Sequence, residues 1–133
     1  MKDPSQQIRT SYFNLINPII PLFDGEALEN TPKPYAIITI PLYVQGSNKD
    51  LVIFDDYKVV IDIITDYKGQ KKCEELSQLV LNAICPTQGE TAIFLNDFNI
   101  GYTKFSAYSP PTLSTLTGRI SRKILSFYHN ITG

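Results

Sequence analysis

The sequence predicts an α+β fold: a mostly antiparallel β-sheet with a long hairpin, packed against one main helix plus a short N-terminal helix. Three observations predict it. Between Tyr57 and Ile63, alternate residues Tyr57, Val59, Ile61 and Ile63 fall on one face and Lys58, Val60 and Asp62 on the other, the pattern of a half-buried strand. From Gln70 to Ile84 the period lengthens: Cys73, Leu76, Leu79, Val80, Ala83 and Ile84 recur at helical spacing, while Lys71, Lys72, Glu74, Glu75 and Gln78 fill the remaining positions. Two apolar runs, Tyr35 to Val44 and Leu51 to Phe54, flank the polar connection Gln45-Gly46-Ser47-Asn48-Lys49-Asp50, which predicts the hairpin. Because Thr65-Asp66-Tyr67-Lys68-Gly69 is a short linker, the helix must fold back over the sheet to which its own strand belongs. The apolar stripe and the apolar strand face then bury each other.

At the N-terminus, Asp3-Pro4-Ser5 reads as a helix start, with Asp3 as N-cap and Pro4 in the first turn, where its missing N–H costs nothing. Ile8, Tyr12, Leu15 and Ile16 follow at helical spacing. The helix is expected to end before Asn17-Pro18, since a residue ahead of proline avoids the helical region. Ile19 to Phe23 reads as a short extended piece, and Pro21 puts it at a sheet edge or outside the ladder. Asp24-Gly25 turns the chain, and Glu26 to Pro34 is a loop. The strand Tyr35 to Val44 places Ala36, Ile38, Ile40, Leu42 and Val44 on one side. Its other side, Tyr35, Ile37, Thr39, Pro41 and Tyr43, is also mostly apolar, so the strand is either covered on both faces or meets a partner molecule.

Beyond the main helix, Cys85 to Glu90 breaks the pattern, and Ala92-Ile93-Phe94-Leu95 reads as a short strand ending at the turn-prone Asn96-Asp97. Phe98 to Tyr108 alternates again, with Phe98, Ile100 and Tyr102 opposite Asn99, Gly101 and Thr103. Ser109-Pro110-Pro111-Thr112 is a rigid loop. The last segment, Gly118 to Ile131, fits both periods: Ile120, Ile124 and Phe127 suit a helix, whereas Ile120, Arg122, Ile124, Ser126 and Tyr128 suit a strand.

The 133 residues suit a single domain spanning 1–133, and 43% apolar with 19% charged residues is the composition of a folding chain. A net charge of −1 and a pI of 5.7 provide no electrostatic footprint for gripping nucleic acid. No run approaches the roughly 20 apolar residues that span a bilayer, and the start MKDPSQQIRT lacks the layout of a secretion signal, so a soluble protein without membrane contact is expected. Cys73 and Cys85 stand about 18 Å apart along a straight helix, too far to bridge, and read as reduced, buried thiols.

Chemistry-bearing patterns are sparse. The histidine, His129, lies near the C-terminal end with no nucleophile elbow in the chain, and reads as a surface or partly packed residue. Together Cys73, Cys85 and His129 lack the close spacing of a zinc site, so neither a metal nor a cofactor is expected. Among the acids Asp55, Asp56, Asp62 and Asp66, Asp56 and Asp62 share a strand face but stand about 20 Å apart at the rise of an extended strand. That is too far to act on one bond or one ion, and a solvated face or an intersubunit salt bridge is the plainer reading. Glycines are dispersed singly at turns, without a phosphate loop. Arg119, Arg122 and Lys123 form the one basic cluster, suited to solvation or to acidic neighbours. Tyr43, Phe54, Tyr102, Phe105, Tyr108, Phe127 and Tyr128 are more aromatics than one small core hides, so some are expected at a subunit interface.

The order of these elements carries a resemblance. A leading helix comes first, then an extended piece closing in Phe23-Asp24-Gly25 and a polar loop into Lys33-Pro34-Tyr35-Ala36-Ile37-Ile38. A long hairpin follows, with Val59-Val60-Ile61-Asp62-Ile63 running into the Tyr67 to Ile84 helix. Over residues 5 to 130 this resembles the tail-completion proteins of tailed bacteriophages, also called tail terminators or head–tail joining proteins. In that family the last segment is a strand of the sheet, which resolves Gly118 to Ile131 as a strand. The resemblance implies a non-enzymatic virion protein of the neck or tail, assembled in the host cytoplasm. Copies of itself would form a six-fold or twelve-fold ring against portal, adaptor or tail-tube proteins, with DNA passing through the lumen without specific binding. The implied subunit-interface candidates are Gln45, Gly46, Ser47, Asn48, Lys49 and Asp50 on the hairpin, with Phe54, Tyr102, Phe105, Tyr108, Arg119 and Arg122. The Thr87 to Thr117 region, with its Ser109-Pro110-Pro111, departs from the family pattern. Two other readings stay open: a small α+β domain binding a ligand or peptide in a pocket between helix and sheet, and an enzyme using Asp56 or Asp62.

Overall fold

The computed structural model describes residues 4–27, 31–40, 43–47, 53–66, 70–87, 90–96, 98–109, 113–115 and 118–132. In chain order its elements are α1 (Ser5–Ile16), β1 (Leu22–Asp24), β2 (Tyr35–Thr39), β3 (Tyr43–Ser47), β4 (Ile53–Asp66), α2 (Gln70–Ile84), β5 (Asn99–Tyr108), β6 (Leu113–Thr115) and β7 (Gly118–Thr132). One sheet contains all the strands, in the order β1-β2-β4-β7-β5, with β3 on β4 and β6 on β7. Among the described residues only the β1–β2 pair is parallel.

The spine is the antiparallel pair β4–β7, in unbroken register from Asp55↔Ile131 to Asp66↔Ile120. Its inward face follows the alternation of the sequence: Tyr57, Val59, Ile61 and Ile63 on β4 and Leu125, Phe127 and Ile131 on β7 are all buried. Against them pack Ile8, Tyr12 and Ile16 of α1 and Cys73, Val80 and Ile84 of α2 in one apolar cluster. Each such aliphatic side chain contributes roughly 1.5–3 kcal/mol on leaving water, so this layer holds the helices to the sheet. Both helices lie on that one face. Among the described residues no helix is long and apolar enough to cross a membrane.

Several boundaries differ from expectation for identifiable reasons. Helix α1 starts with Pro4 at the cap position, without a side-chain cap, while Asp3 lies outside the described residues. It closes ahead of Pro18, with Asn17 N–H donating to Phe13 and both Ile19 and Ile20 N–H to Ile16. The strand expected from Tyr35 to Val44 is two strands, β2 and β3, on the same edge of β4. The interval between them contains Pro41, which has no N–H for a ladder. Gln45, Gly46 and Ser47, expected in the connection, are strand residues opposite Asp55, Phe54 and Ile53.

Among the described residues Ala92 to Leu95 has no ladder partner, contrary to the expected strand. Its backbone serves the end of α2 instead: Ala92 N–H and Thr91 Oγ1 both donate to the Ile84 carbonyl, and Ile93 N–H donates to Thr91 Oγ1. Ile93 and Leu95 still turn inward, which leaves Phe94 77% exposed. On α2, Leu79 is 52% exposed and Ser77 takes the buried position, donating to the Cys73 carbonyl at 2.7 Å. A hydroxyl satisfied within its own helix turn can sit in an apolar stripe. Strand β5 slips register between Ile100 and Thr103, so Thr103 rather than Tyr102 is buried. A bulge adds one residue and reverses the alternation beyond it. Gly101 sits in that bulge, where a Cβ would come 2.8 Å from Asn130 Oδ1.

Candidate assembly interface

Residues directly opposite in a ladder point to the same face, so the register builds the uncovered side of the sheet. One row runs Ile37, Asp62, Ile124, Tyr108 across β2, β4, β7 and β5; the next runs Thr39, Val60, Ser126, Ser106. Tyr35, Ile64 and Arg122 form a third. At the β1 edge, Phe23 lies opposite Ile37 and sets its ring edge-on to Tyr35 at 6.0 Å. Among the described residues no second layer covers this side. Ile37, Val60, Ile124, Tyr35 and Tyr128 are half-buried, and Tyr108 is 59% exposed.

At the middle of this apolar face stands one ion pair. Arg122 Nε donates to Asp62 Oδ1 at 3.1 Å, and Nη2 donates to Oδ2, a bidentate arrangement. Hydrogen bonding to Asp62 raises the Arg122 pKa above its ordinary value, with the Asp62 charge and the Tyr108 and Tyr35 phenols adding to it against partial burial. The pair orders the long Arg122 side chain on the face. Lys58 lies 5.7 Å over the Tyr128 ring and Lys104 lies 5.3 Å over the Tyr102 ring.

The structure gathers three of the interface candidates here: Tyr108 and Arg122 on the uncovered face, and Tyr102 beneath Lys104. Phe105 is on the other side, its ring 5.3 Å from Phe127 with 39% exposure. Gln45, Gly46 and Ser47 belong to β3; Phe54 pairs with Gly46 and Arg119 with Ser114 through their backbones. Asn48, Lys49 and Asp50 lie outside the described residues. Of the other aromatics taken as too many for the core, Phe127 is fully buried and Tyr128 half-buried. A residue the sequence did not flag is Phe94, because its segment read as a strand. The signal for the uncovered face was present in the apolar Tyr35, Ile37 and Thr39 side of β2.

His129, expected at the surface or partly packed, is 1% exposed. Its Nε2 pairs with the Tyr12 hydroxyl and its Nδ1 with Thr103 Oγ1 at 3.0 Å. Burial lowers its pKa to about 4 and raises that of Tyr12 well above the phenol range. One neutral tautomer therefore satisfies both partners. Burial also raises the thiols of the free Cys73 and Cys85, keeping them protonated.

Between helices and sheet the described residues form the apolar cluster. Two surface grooves, of about 440 and 580 Å³, flank Phe94, between residues 90–95 and β5 and between α1 and residues 92–96. Among the described residues, no three His, Cys, Asp or Glu side chains come together as a metal site. Asp62 is engaged by Arg122, and the Asp56 side chain lies outside the described part.

The class these features define is a largely antiparallel sheet with both helices on one face and an aromatic-bearing face left open. The chain is similar in fold to a chain of a solved structure of the virion of a native gene transfer agent particle, with a TM-score of 0.65 and 18% identity. The match covers 97% of this chain and 91% of that one. No family model and no curated protein matches the sequence.

Proposed function

We propose that this chain is a structural subunit of a phage-like virion. In this reading copies of it form a six-fold or twelve-fold ring in the neck or tail, as a tail-completion or head–tail connector protein. The ring joins portal, adaptor or tail-tube proteins around the DNA channel. The observation that carries this is the fold likeness to a virion chain over nearly the whole length of both. Supporting it, the open sheet face presents aromatics and one ordered ion pair, the chemistry enriched in subunit contacts. A net charge of −1 suits a lumen through which DNA slides. Gln45 to Asp50, Phe54, Tyr102, Phe105, Tyr108, Arg119 and Arg122 are the residues proposed to meet neighbours. The reading is non-catalytic, and Asp62, one of the two acids of the enzymatic alternative, is paired with Arg122.

Electron microscopy of the purified protein, with mass measured over a range of concentrations, tests this. Closed annuli of uniform diameter are expected. A strict monomer at every concentration, with and without neighbouring tail proteins, overturns it.

A further inference from the structure

The two side edges of the sheet are built differently. On the β2 side the edge is closed off by β1, a three-residue strand preceded by Pro21 and followed by Gly25 at φ +80°. Shortness, proline and a sharp turn are the devices that stop an edge from recruiting another strand. At the far side β5 has ten residues, contains no proline, and pairs with β7 alone among the described residues. Its bulge lies between Ile100 and Thr103, so Lys104 to Tyr108 run on in regular register, opposite Tyr128 to Ile124. Each of these five is exposed. Alternate N–H and C=O groups along such an edge point away from the sheet and call for an extended backbone.

Among the described residues a second open edge lies across the sheet. Tyr57 is opposite Tyr43 on one side and His129 on the other, and His129 is opposite Thr103. At this level the described residues form a sheet four strands wide, β3-β4-β7-β5, with β3 and β5 as its two edges. Two different open edges on opposite sides of one chain are the requirement for a head-to-tail contact, whereas a two-fold dimer would use one edge twice.

We infer that the β5 edge at Lys104 to Tyr108 pairs with the β3 edge, Tyr43 to Ser47, of the next copy of this chain. This deepens the ring reading and rests on it. The two runs are five residues each. They are offset along the strands, since β3 lies opposite Ile53 to Tyr57 and Lys104 to Tyr108 are level with Lys58 to Asp62. Strands that tilt and stagger are what allow a sheet to close on itself. Main-chain hydrogen bonds supply the contact, and the exposed Tyr108 carries the apolar face across the junction.

Amide hydrogen exchange on the full chain, as dilute monomer and as assembled ring, tests the pairing. Exchange in both Lys104 to Tyr108 and Tyr43 to Ser47 should slow at least tenfold on assembly. Rings whose β3 and β5 amides exchange at the monomer rate would overturn the pairing and leave the ring standing. Absence of any assembly would overturn both. Neighbouring N–H groups on a strand point to opposite edges. Of Ser106→Pro and Ala107→Pro, one should therefore keep the monomer's thermal melt and lose assembly; two variants that both assemble would also reject the pairing.

Discussion

The hydroxyl of Tyr12 is hydrogen bonded to Nε2 of His129, joining the first helix to the last strand across 117 positions of chain. Both side chains are at most 1% exposed. Thr103 on β5 completes the group at Nδ1, so α1, β7 and β5 share one polar cluster inside an apolar core. Buried polar groups are stabilising only while each has its partner.

Tyr12→Phe keeps the ring and its edge-on contact with Phe127 but strands Nε2 of His129. A loss of about 1–3 kcal/mol is expected, the cost of an unsatisfied buried group. Urea denaturation of the two proteins measures it. A change within error would mean that the hydroxyl and the imidazole do not depend on each other.

His129 also gives stability a pH dependence. Its folded-state pKa of about 4 lies below the ordinary 6.5 of an unfolded chain, so the unfolded chain takes the proton first. The stability tied to the neutral imidazole is therefore whole above the unfolded pKa and is lost as pH falls toward the folded one. A shift of this size corresponds to a loss of about 3 kcal/mol at most. His129→Gln should flatten the stability profile across that interval, read as urea midpoints at about pH 7 and about pH 5. Parallel profiles for the two proteins would refute the assignment.

Neighbouring leucine and valine on α2 should behave oppositely. Val80 is 0% exposed and Leu79 52%, although both lie on the stripe read from the sequence. Val80→Ala should cost about 1–3 kcal/mol through lost burial and a residual cavity, while Leu79→Ala should change stability by less than about 0.5 kcal/mol. Thermal melts of the pair decide it; equal losses would mean that the helix is rotated about its axis.

On the open face, Asp62→Ala leaves the Arg122 guanidinium near Tyr35 and Tyr108 without its carboxylate. Since the pair is only partly buried, a loss of about 1 kcal/mol is expected, with a coupling of similar size in the cycle with Arg122→Ala. Zero coupling would mean that the two side chains are held independently.

Much of this fold was legible because its signals are local. The alternation from Tyr57 to Ile63 and the period from Cys73 to Ile84 are imposed by backbone geometry on one element at a time. The strand face reappears buried, and the helix stripe does so at Cys73, Val80 and Ile84 but not at Leu79. The apolar outer side of Tyr35, Ile37 and Thr39 was readable for the same reason. Gly118 to Ile131 was not, since its period fitted two structures; resemblance resolved it, and twelve residues of pairing with β4 show the strand. The missing ladder at Ala92 to Leu95 and the broken alternation between Ile100 and Thr103 have separate origins. A segment's side-chain alternation says nothing about whether its backbone finds a ladder, and one inserted residue reverses everything after it.

What the amino-acid order determined by itself was the period of the main strand and helix and most of their dry faces, through propensity and spacing that need no partner. Only the tertiary structure decided that β7 lies between β4 and β5, that His129 is sealed beneath Tyr12, and that Arg122 answers Asp62. Those outcomes depend on hydrogen bonds between positions dozens of residues apart. Such bonds exist only once the chain has closed, when each polar group either meets its complement or is left in an apolar interior without one.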